Sequence, residues 1–566
     1  MSNDGDDWNV SGYAKSVIFA GCLKDVQAYL KDVLANCERL EATVERAFFI
    51  FAENDSTDGT KAVLQDWRAS RENVYVFCCD GLGQNMPLRT QRLAFLRNRI
   101  LSLVTELGLS NYDMLCLMDI DDVNAGEIEP EGFRAATEFL FSKPEHAAVF
   151  AVSDPVYYDI WALRHPEWCP VDCWWEVGHA QNKAEAYKRF VMDRQVPVDR
   201  NRAPIPVNSA FNGIGLYKTG FALKASNAYV GLDEEGRETC EHVNFNETIV
   251  KAGGSLYVFP RLRNRASLGY LAGGRENKTI QLSGNSGAIV LLAPSSHLLD
   301  KYLQEYPLYD RRLPLLLAVF NRIAGQVSLL DIGCNILDTI ALIKVSGVSL
   351  SRSISVDGSL EFYKYAIFNA QRHPAYFGNC EIIWGFAGDA EDCGNIAAEN
   401  GTGSARHMQR RDELPDFLAP RPVTFADLAS TGVDVVKTDL DGYDQKAILQ
   451  NMDWLLRFKP VLWTEANVDN ADDISLWSDI LHRLADEFPH VAVFDNFGFC
   501  MCAGSLAEKL NTVIDLIALG ARYRAYAPST GTPRFYYVNL MLCPHRFEPI
   551  FKAFVDGLPE MAQLKR

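Results

Sequence analysis

The chain lacks the long apolar run that a bilayer crossing needs: no hydrophobic stretch reaches the roughly 18 residues of a spanning helix. No secretory leader is visible either, since residues 1–9 carry Asp4, Asp6 and Asp7 and no basic stretch ahead of an apolar core. Basic residues are in deficit. Asp and Glu number 73 against 55 Lys and Arg, a formal charge of −18, and such a surface repels a phosphate backbone, so nucleic acid is not an expected partner. The paired cysteine spacing of a zinc site is also missing: the 14 cysteines are scattered, apart from Cys78–Cys79 and Cys500 with Cys502. Reduced thiols in a cytoplasmic protein are the expectation. No short internal repeat is present.

What the chain does have is ordinary globular material, 48% hydrophobic and 23% charged over 566 residues, enough for two large domains. An acidic protein that binds an anion, a nucleoside diphosphate for instance, needs a local device such as a helix N-terminus, a metal ion or a few arginines. From residue 16 apolar segments alternate with amphipathic ones, as in an open α/β sheet. Strands are expected at 16–20, 46–51, 74–77 and 114–118, with helices at 25–40, 60–69 and 89–106. The alternation lapses in a Gly-, Ser- and Asn-rich stretch over 268–287 and restarts at 328–330. It then runs through 353–356, 381–384, 433–437 and 460–463 to apolar segments at 491–494 and 534–542. The expected fold class is therefore α/β in two domains, 1–270 and 285–566, with sites at the carboxyl ends of the strands.

In the first half the strand at 114–118 runs into Asp119-Ile-Asp121-Asp122. Alternation along an extended segment puts Asp119 and Asp121 on one face, where two hard oxygen ligands suit a divalent cation that bridges phosphates. A bare Asp-x-Asp is more often a solvated turn or an N-cap; this one follows a strongly apolar strand in an α/β series. A second acidic turn, Glu53-Asn-Asp55-Ser-Thr57-Asp58-Gly-Thr60, joins a strand to a helix, which Thr57 or Asp58 would cap.

These two elements at this separation resemble the GT-A class of nucleotide-sugar glycosyltransferases, and residues 16–265 look like the cryptococcal capsule-type mannosyltransferase family. The resemblance is also carried by Arg89-Thr-Gln-Arg92 with Arg97-Asn98, by Tyr158-Asp159-Ile-Trp161-Ala-Leu-Arg164, and by Cys240-Glu241-His242-Val-Asn244. It implies that Asp119 and Asp121 hold Mn2+ or Mg2+ against the diphosphate of a bound donor, with His242 as a further metal ligand. It places Glu53, Asp55 and Asp58 by the nucleoside and Arg92 or Arg97 by the phosphates. Glu241 becomes the base of an inverting reaction, or a positioning group in a retaining one. The implied donor is GDP-mannose and the acceptor a glycan or lipid-linked glycan, which would bring the chain peripherally to the inner membrane surface. Trp161, Trp174 and Trp175 either line a sugar site or fill the core. A nucleotidyltransferase uses the same kind of sheet and acidic turn, and releases pyrophosphate instead of a nucleoside diphosphate.

In the second half Asp331-Ile-Gly333-Cys-Asn335 follows a strand directly, and Val356-Asp357-Gly358 comes one strand later, where an acid accepts from ribose hydroxyls. Farther on stands Val436-Lys437-Thr438-Asp439-Leu-Asp441-Gly-Tyr443-Asp444. With Tyr306-Pro-Leu-Tyr309-Asp310, these motifs resemble the FkbM family of methyltransferases over residues 290–545. The resemblance implies a class I Rossmann-like sheet and S-adenosylmethionine held by Asp331, Gly333, Asn335, Asp357 and Asp389. It implies an O-methylation site around Asp439 and Asp441, with Glu465 as a further candidate. Leu337 stands where the family pattern DxGANxG has its second glycine; a branched side chain there either crowds the methionine end of the cofactor or is accommodated by a shift of the turn. Asp441 replaces a usual Glu, and Gly358 a usual Pro. Two function classes follow: a bifunctional polysaccharide-biosynthesis enzyme, or a glycosyltransferase whose degenerate second half is a non-catalytic binding or scaffolding module. Tethering two sites to one glycan substrate raises the effective concentration at the second.

Overall fold

The computed structural model describes residues 14–272, 276–388, 393–399, 402–410, 418–525 and 535–558. The chain forms two compact units, Met1–Tyr270 and Leu271–Arg566, and both are α/β. Among the described residues no helix is long and apolar enough to cross a membrane.

The first unit is built on Ser16–Leu23 (β1), Arg46–Glu53 (β2), Val74–Cys78 (β3), Met114–Met118 (β4), His146–Asp154 (β5), Ile205–Val207 (β6), Ile214–Lys218 (β7) and Ser255–Arg265 (β8). They lie side by side in the order β3-β2-β1-β4-β7-β5-β8-β6. β1 to β4 are parallel, β7 runs antiparallel to β4 and β5, and β8 returns parallel to β5. Central parallel strands are covered on both faces, so β1 and β4 read as continuous apolar runs with no polar alternation, and nearly every residue in them is buried. The order reverses between β1 and β4, which opens a crevice at their carboxyl ends.

Helix Arg89–Glu106 packs on this sheet with a buried face formed by Thr90, Ala94, Arg97, Leu101 and Val104. That spacing is the apolar stripe of an amphipathic helix. Arg97 is its one charged member, drawn inward by its position, whereas Arg92 falls off the stripe.

The second unit begins with a hairpin of Asn277–Gly284 (β9) and Gly287–Pro294 (β10). It occupies much of the stretch that reads as a connection, because Ile280, Leu282, Ile289 and Leu291 alternate inward and build core. The main strands are Val327–Ile332 (β11), Leu350–Asp357 (β12), Cys380–Phe386 (β13), Arg421–Pro422 (β16), Val435–Thr438 (β17), Val461–Ala466 (β18), His490–Asp495 (β19), Cys500–Ser505 (β20) and Val538–Cys543 (β21). Gly394–Glu399 (β14) and Thr402–Arg410 (β15) form a separate ribbon. The main sheet has the order β16-β13-β12-β11-β17-β18-β21-β19-β20. β11, β12, β13, β17 and β18 are parallel, while β21 inserts antiparallel between β18 and β19. Leu329 faces one core layer and Leu330 the other, so this sheet too is covered on both sides. Its order reverses between β11 and β17.

Candidate functional site

At the reversal point of the first unit lies a cavity of about 520 Å3, lined by Asp119, Asp121, Arg97, Glu241 and His242 among others. The end of β4 is fixed from beneath. Asp119 N donates to the Gly213 carbonyl at 2.9 Å, and Asn124 Nδ2 donates to the carbonyls of Asp119 and Gly213, each at 2.8 Å. Asp121 caps the short turn Asp122–Asn124 by accepting from Val123 N at 3.2 Å. Burial, joined by the charges of Asp119 and Asp122, pushes the Asp121 carboxyl up to about 7, and burial raises Asp119 as well. Two desolvated carboxylates on one wall are the donor set of a hard divalent cation, so the residues present fit a metal.

Arg97 ion-pairs Glu241, in the first turn of helix Glu241–Lys251, and reaches Asp119 Oδ1 at 3.3 Å. The next residue, His242, is buried with its ring stacked 3.7 Å from that of Phe211, and neither ring nitrogen has a hydrogen-bond partner. Burial holds its pKa well below the usual histidine range, so the imidazole is neutral. The three-point grip implied for Asp119, Asp121 and His242 is nevertheless not assembled. Among the described residues, the triples whose ligand atoms lie within 4.8 Å of one another are Asp439–Asp441–Glu465 and His490–His545–Glu548.

The acids of the turn after β2 are hydrogen-bonded within the loops and are not among the residues lining the cavity. Glu53 is fully buried, its Oε1 accepting from Ser56 N at 2.8 Å with Lys61 Nζ 3.6 Å from Oε2. Asp55 accepts from Gly81 N at 2.5 Å and Gly83 N at 2.7 Å, and these bonds, that from Gly83 first, hold its carboxyl below the usual range. Asp58 accepts from Gln27 N at 3.0 Å and Thr60 N at 2.9 Å, joining two helix starts. The Arg92 guanidinium donates to the Met86 and Pro87 carbonyls at 2.8 and 2.6 Å, outside the cavity. Trp161 and Trp174 do line it, Trp161 being steadied by Nε1 donation to Asp172 Oδ2 at 3.0 Å. Trp175 is 49% exposed and stacks on His179 instead.

Sequence reading passes over the buried Asn212. Its Oδ1 accepts from Tyr158 N and Asp159 N, both at 3.2 Å, and its own N donates to Asp159 Oδ2 at 3.1 Å. It therefore carries the Tyr158–Asp159 loop to the cavity wall. The available signal is the dipeptide Asn212-Gly213, a turn signature; both residues have positive φ, 55° and 82°.

In the second unit a cavity of about 140 Å3 lies at the carboxyl ends of β11, β12, β17 and β18. Gly333 has φ 83°, and a Cβ on it would collide with the Asp439 carbonyl oxygen, so the turn after β11 admits glycine alone. Buried Lys437 braces the turn: its Nζ donates to the Gly333 carbonyl at 2.9 Å and pairs with Asp331 at 3.1 Å and Asp439 at 3.5 Å. Asp331 thus lies below the cavity as the partner of Lys437, while Asn335, Asp357, Asp439, Asp441 and Glu465 line it. Asp357 accepts from Asn335 N and Ser359 N, each at 2.8 Å, and burial pushes its carboxyl up to about 7. Asp389 lies outside the described residues.

Of the two outcomes open for Leu337, the structure has the uncrowded one. Its φ is 69°, and the side chain is 0% exposed, packed in the core; the cavity lining does not include it. The missing glycine costs backbone strain and leaves the cavity uncrowded.

No protein-family model matches the chain, and no curated protein does. Among solved structures it is similar to a mannosyltransferase from Pyrobaculum calidifontis in complex with GDP-Man and Mn2+, at 12% identity and TM-score 0.29, over 47% of this chain and 63% of that one. It is also similar to GalNAc-T7 with UDP, GalNAc and Mn2+, at 13% identity and TM-score 0.28, over 45% and 44% of the two chains. A third likeness is to residues 1–349 of S. aureus TarS, at 11% identity and TM-score 0.27, over 45% and 61%. The chain spans under two thirds of each of these structures.

Proposed function

We propose that the first unit transfers a sugar, mannose from GDP-mannose by family resemblance, to a glycan acceptor in the manner of GT-A glycosyltransferases, and that the second methylates a hydroxyl of such a glycan. The observation that carries the first half is the gathering of Asp119, Asp121, Arg97 and Glu241 around one cavity at a sheet reversal point. A divalent cation held by Asp119 and Asp121 would neutralise the charge of the departing diphosphate. Arg97 keeps Glu241 oriented toward the cavity, where in an inverting reaction its carboxylate takes the proton of the acceptor hydroxyl. Trp161 and Trp174 present aromatic faces on which a sugar ring can rest.

For the second half, six acidic side chains (Asp310, Asp338, Asp357, Asp439, Asp441 and Glu465), several with pKa values raised by burial, line the cavity against the single lysine Lys437. Such a cavity attracts a cationic ligand. S-adenosylmethionine, which would supply the methyl group, is cationic at sulfur and at its amino group, and the close backbone approach at Gly333 suits its amino-acid end. The Asp357 oxygens retain lone pairs for ribose hydroxyls. Asp439 is an exposed carboxylate at the cavity and would take the proton of the acceptor hydroxyl. With Leu337 in the core, the scaffolding alternative loses the feature that favoured it.

The test is product analysis by mass spectrometry after incubation with nucleotide-sugars, Mn2+ and S-adenosylmethionine. Asp119→Asn and Asp121→Asn should each lower sugar transfer at least 100-fold without loss of fold; persistence of activity would overturn the first half. Release of pyrophosphate would point to nucleotidyl transfer. Calorimetry on the full chain should show S-adenosylmethionine binding that Asp357→Ala abolishes, and no binding at millimolar cofactor removes the methyl-transfer half alone.

A further inference from the structure

We infer that the second unit binds a divalent metal ion through Asp439, Asp441 and Glu465. Asp439 leaves the end of β17 and Asp441 follows two residues on. Glu465 stands one residue beyond Thr464, which is paired with Thr438, so Asp439 and Glu465 occupy the same level on adjacent parallel strands. One carboxylate oxygen from each of the three lies within 4.8 Å of the other two.

An acidic cluster alone is commonplace. Here its innermost member is 5% exposed, and Glu465 Oε1 is a buried acceptor with no hydrogen-bond donor beside it other than the neighbouring Asp439 carboxyl of the same cluster. It lines the cavity beside the other two carboxylates. Burying such an oxygen beside two like charges is costly unless a proton or a cation meets it, and a cation that reaches all three carboxylates displaces the proton. Lys437 does not supply that charge to Glu465: its ammonium is already divided between Asp331 at 3.1 Å, the Gly333 carbonyl at 2.9 Å and Asp439 at 3.5 Å.

The donor set is oxygen only, which selects a hard cation of the Mg2+, Mn2+ or Ca2+ kind and disfavours zinc. Exposure is graded across the three ligands: Glu465 buried, Asp441 half-buried, Asp439 44% exposed. An ion seated on them keeps an open side toward the cavity mouth, free to take water or a substrate hydroxyl and lower its pKa. This site does not depend on the methyl-transfer reading, because metal binding is measured without any cofactor.

Terbium is a luminescent stand-in for such an ion, and Tyr309, Tyr536 and Tyr537 line the same cavity as sensitisers. The experiment uses the full chain carrying Asp119→Asn and Asp121→Asn, which removes the first unit's metal carboxylates. Tyrosine-sensitised emission should persist in that protein, be displaced by Mn2+, and require at least tenfold more terbium once Glu465→Gln or Asp441→Asn is added. Glu465→Gln preserves the shape of a protonated glutamate. Asp441→Asn, on a half-buried loop, decides the matter if the Glu465→Gln protein fails the circular-dichroism check. Absence of sensitised emission in the starting protein, or an affinity unchanged by Asp441→Asn, overturns the site.

Discussion

Arg97 holds Glu241 and Asp119 at once. Its guanidinium ion-pairs Glu241, 144 residues farther along the chain, and lies 3.3 Å from Asp119 Oδ1, so one buried cation fixes the strand-end carboxylate against the candidate base. Arg97→Met would leave Glu241, 4% exposed, as a buried unpaired charge. The expected loss is about 3–5 kcal/mol in urea unfolding. Adding Glu241→Gln should recover part of it, since the stranded charge is then gone; a double variant no more stable than Arg97→Met would refute the pairing.

Leu337 sets a left-handed backbone against a buried side chain. Glycine there would relieve roughly 1–2 kcal/mol of strain, while emptying a leucine-sized space in the core costs about 2–5 kcal/mol. Leu337→Gly should therefore be less stable than wild type, and Leu337→Ala, which keeps the strain, less stable still or equal. Thermal unfolding of the three proteins ranks them. A Leu337→Gly protein more stable than wild type would show that the side chain contributes little to packing.

Gly333→Ala separates the two units functionally. With the added Cβ driven into the Asp439 carbonyl oxygen, the turn after β11 must shift, and Lys437 loses its acceptor at the Gly333 carbonyl. S-adenosylmethionine binding should fall below detection by calorimetry, while the Mn2+-dependent nucleotide binding proposed for the first unit stays within about twofold of wild type, because the altered turn belongs to the second unit's own fold.

The pH dependence of stability has a traceable contributor in His146. The residue is 2% exposed, its ring lies 4.5 Å from Phe139 and 4.9 Å from Tyr257 between centroids, and its Nδ1–H donates to the Phe139 carbonyl at 2.8 Å. Burial lowers its pKa in the folded chain, so between that value and the unfolded value of about 6.5 the unfolded chain binds more protons. Its contribution is thus constant above about pH 6.5 and is lost as the pH falls through that window. Urea unfolding at pH 7.5 and 5.5 should show a smaller acid loss in His146→Gln than in wild type; equal losses would remove His146 as a contributor.

Strand ends and helix periods are legible in the residue order alone, because they depend on local alternation. Helix Arg89–Glu106 and strand Met114–Met118 fall where the pattern places them, and the Asp119 and Asp121 turn follows directly. The hairpin at Asn277–Pro294 is masked in the sequence because its polar face and its turn residues dominate the composition. The hydrogen-bond partners of the acids after β2 are hidden in the sequence for a similar reason. A carboxylate has the same chemistry whether its partner is a nucleoside or a backbone amide, and Asp55 and Asp58 find amides in loops distant in sequence.

The sequence by itself determined the alternating strands and helices of the two α/β halves and the acidic turns that follow their strands, since apolar period and turn chemistry are properties of neighbouring residues. Which acids face a cavity, which arginine pairs with Glu241, where Leu337 points and which carboxylates converge with Glu465 were decided only by the tertiary structure. Each of these depends on strands and helices that meet from far apart in the chain, and burial, which sets their charge and partners, exists only once that packing is complete.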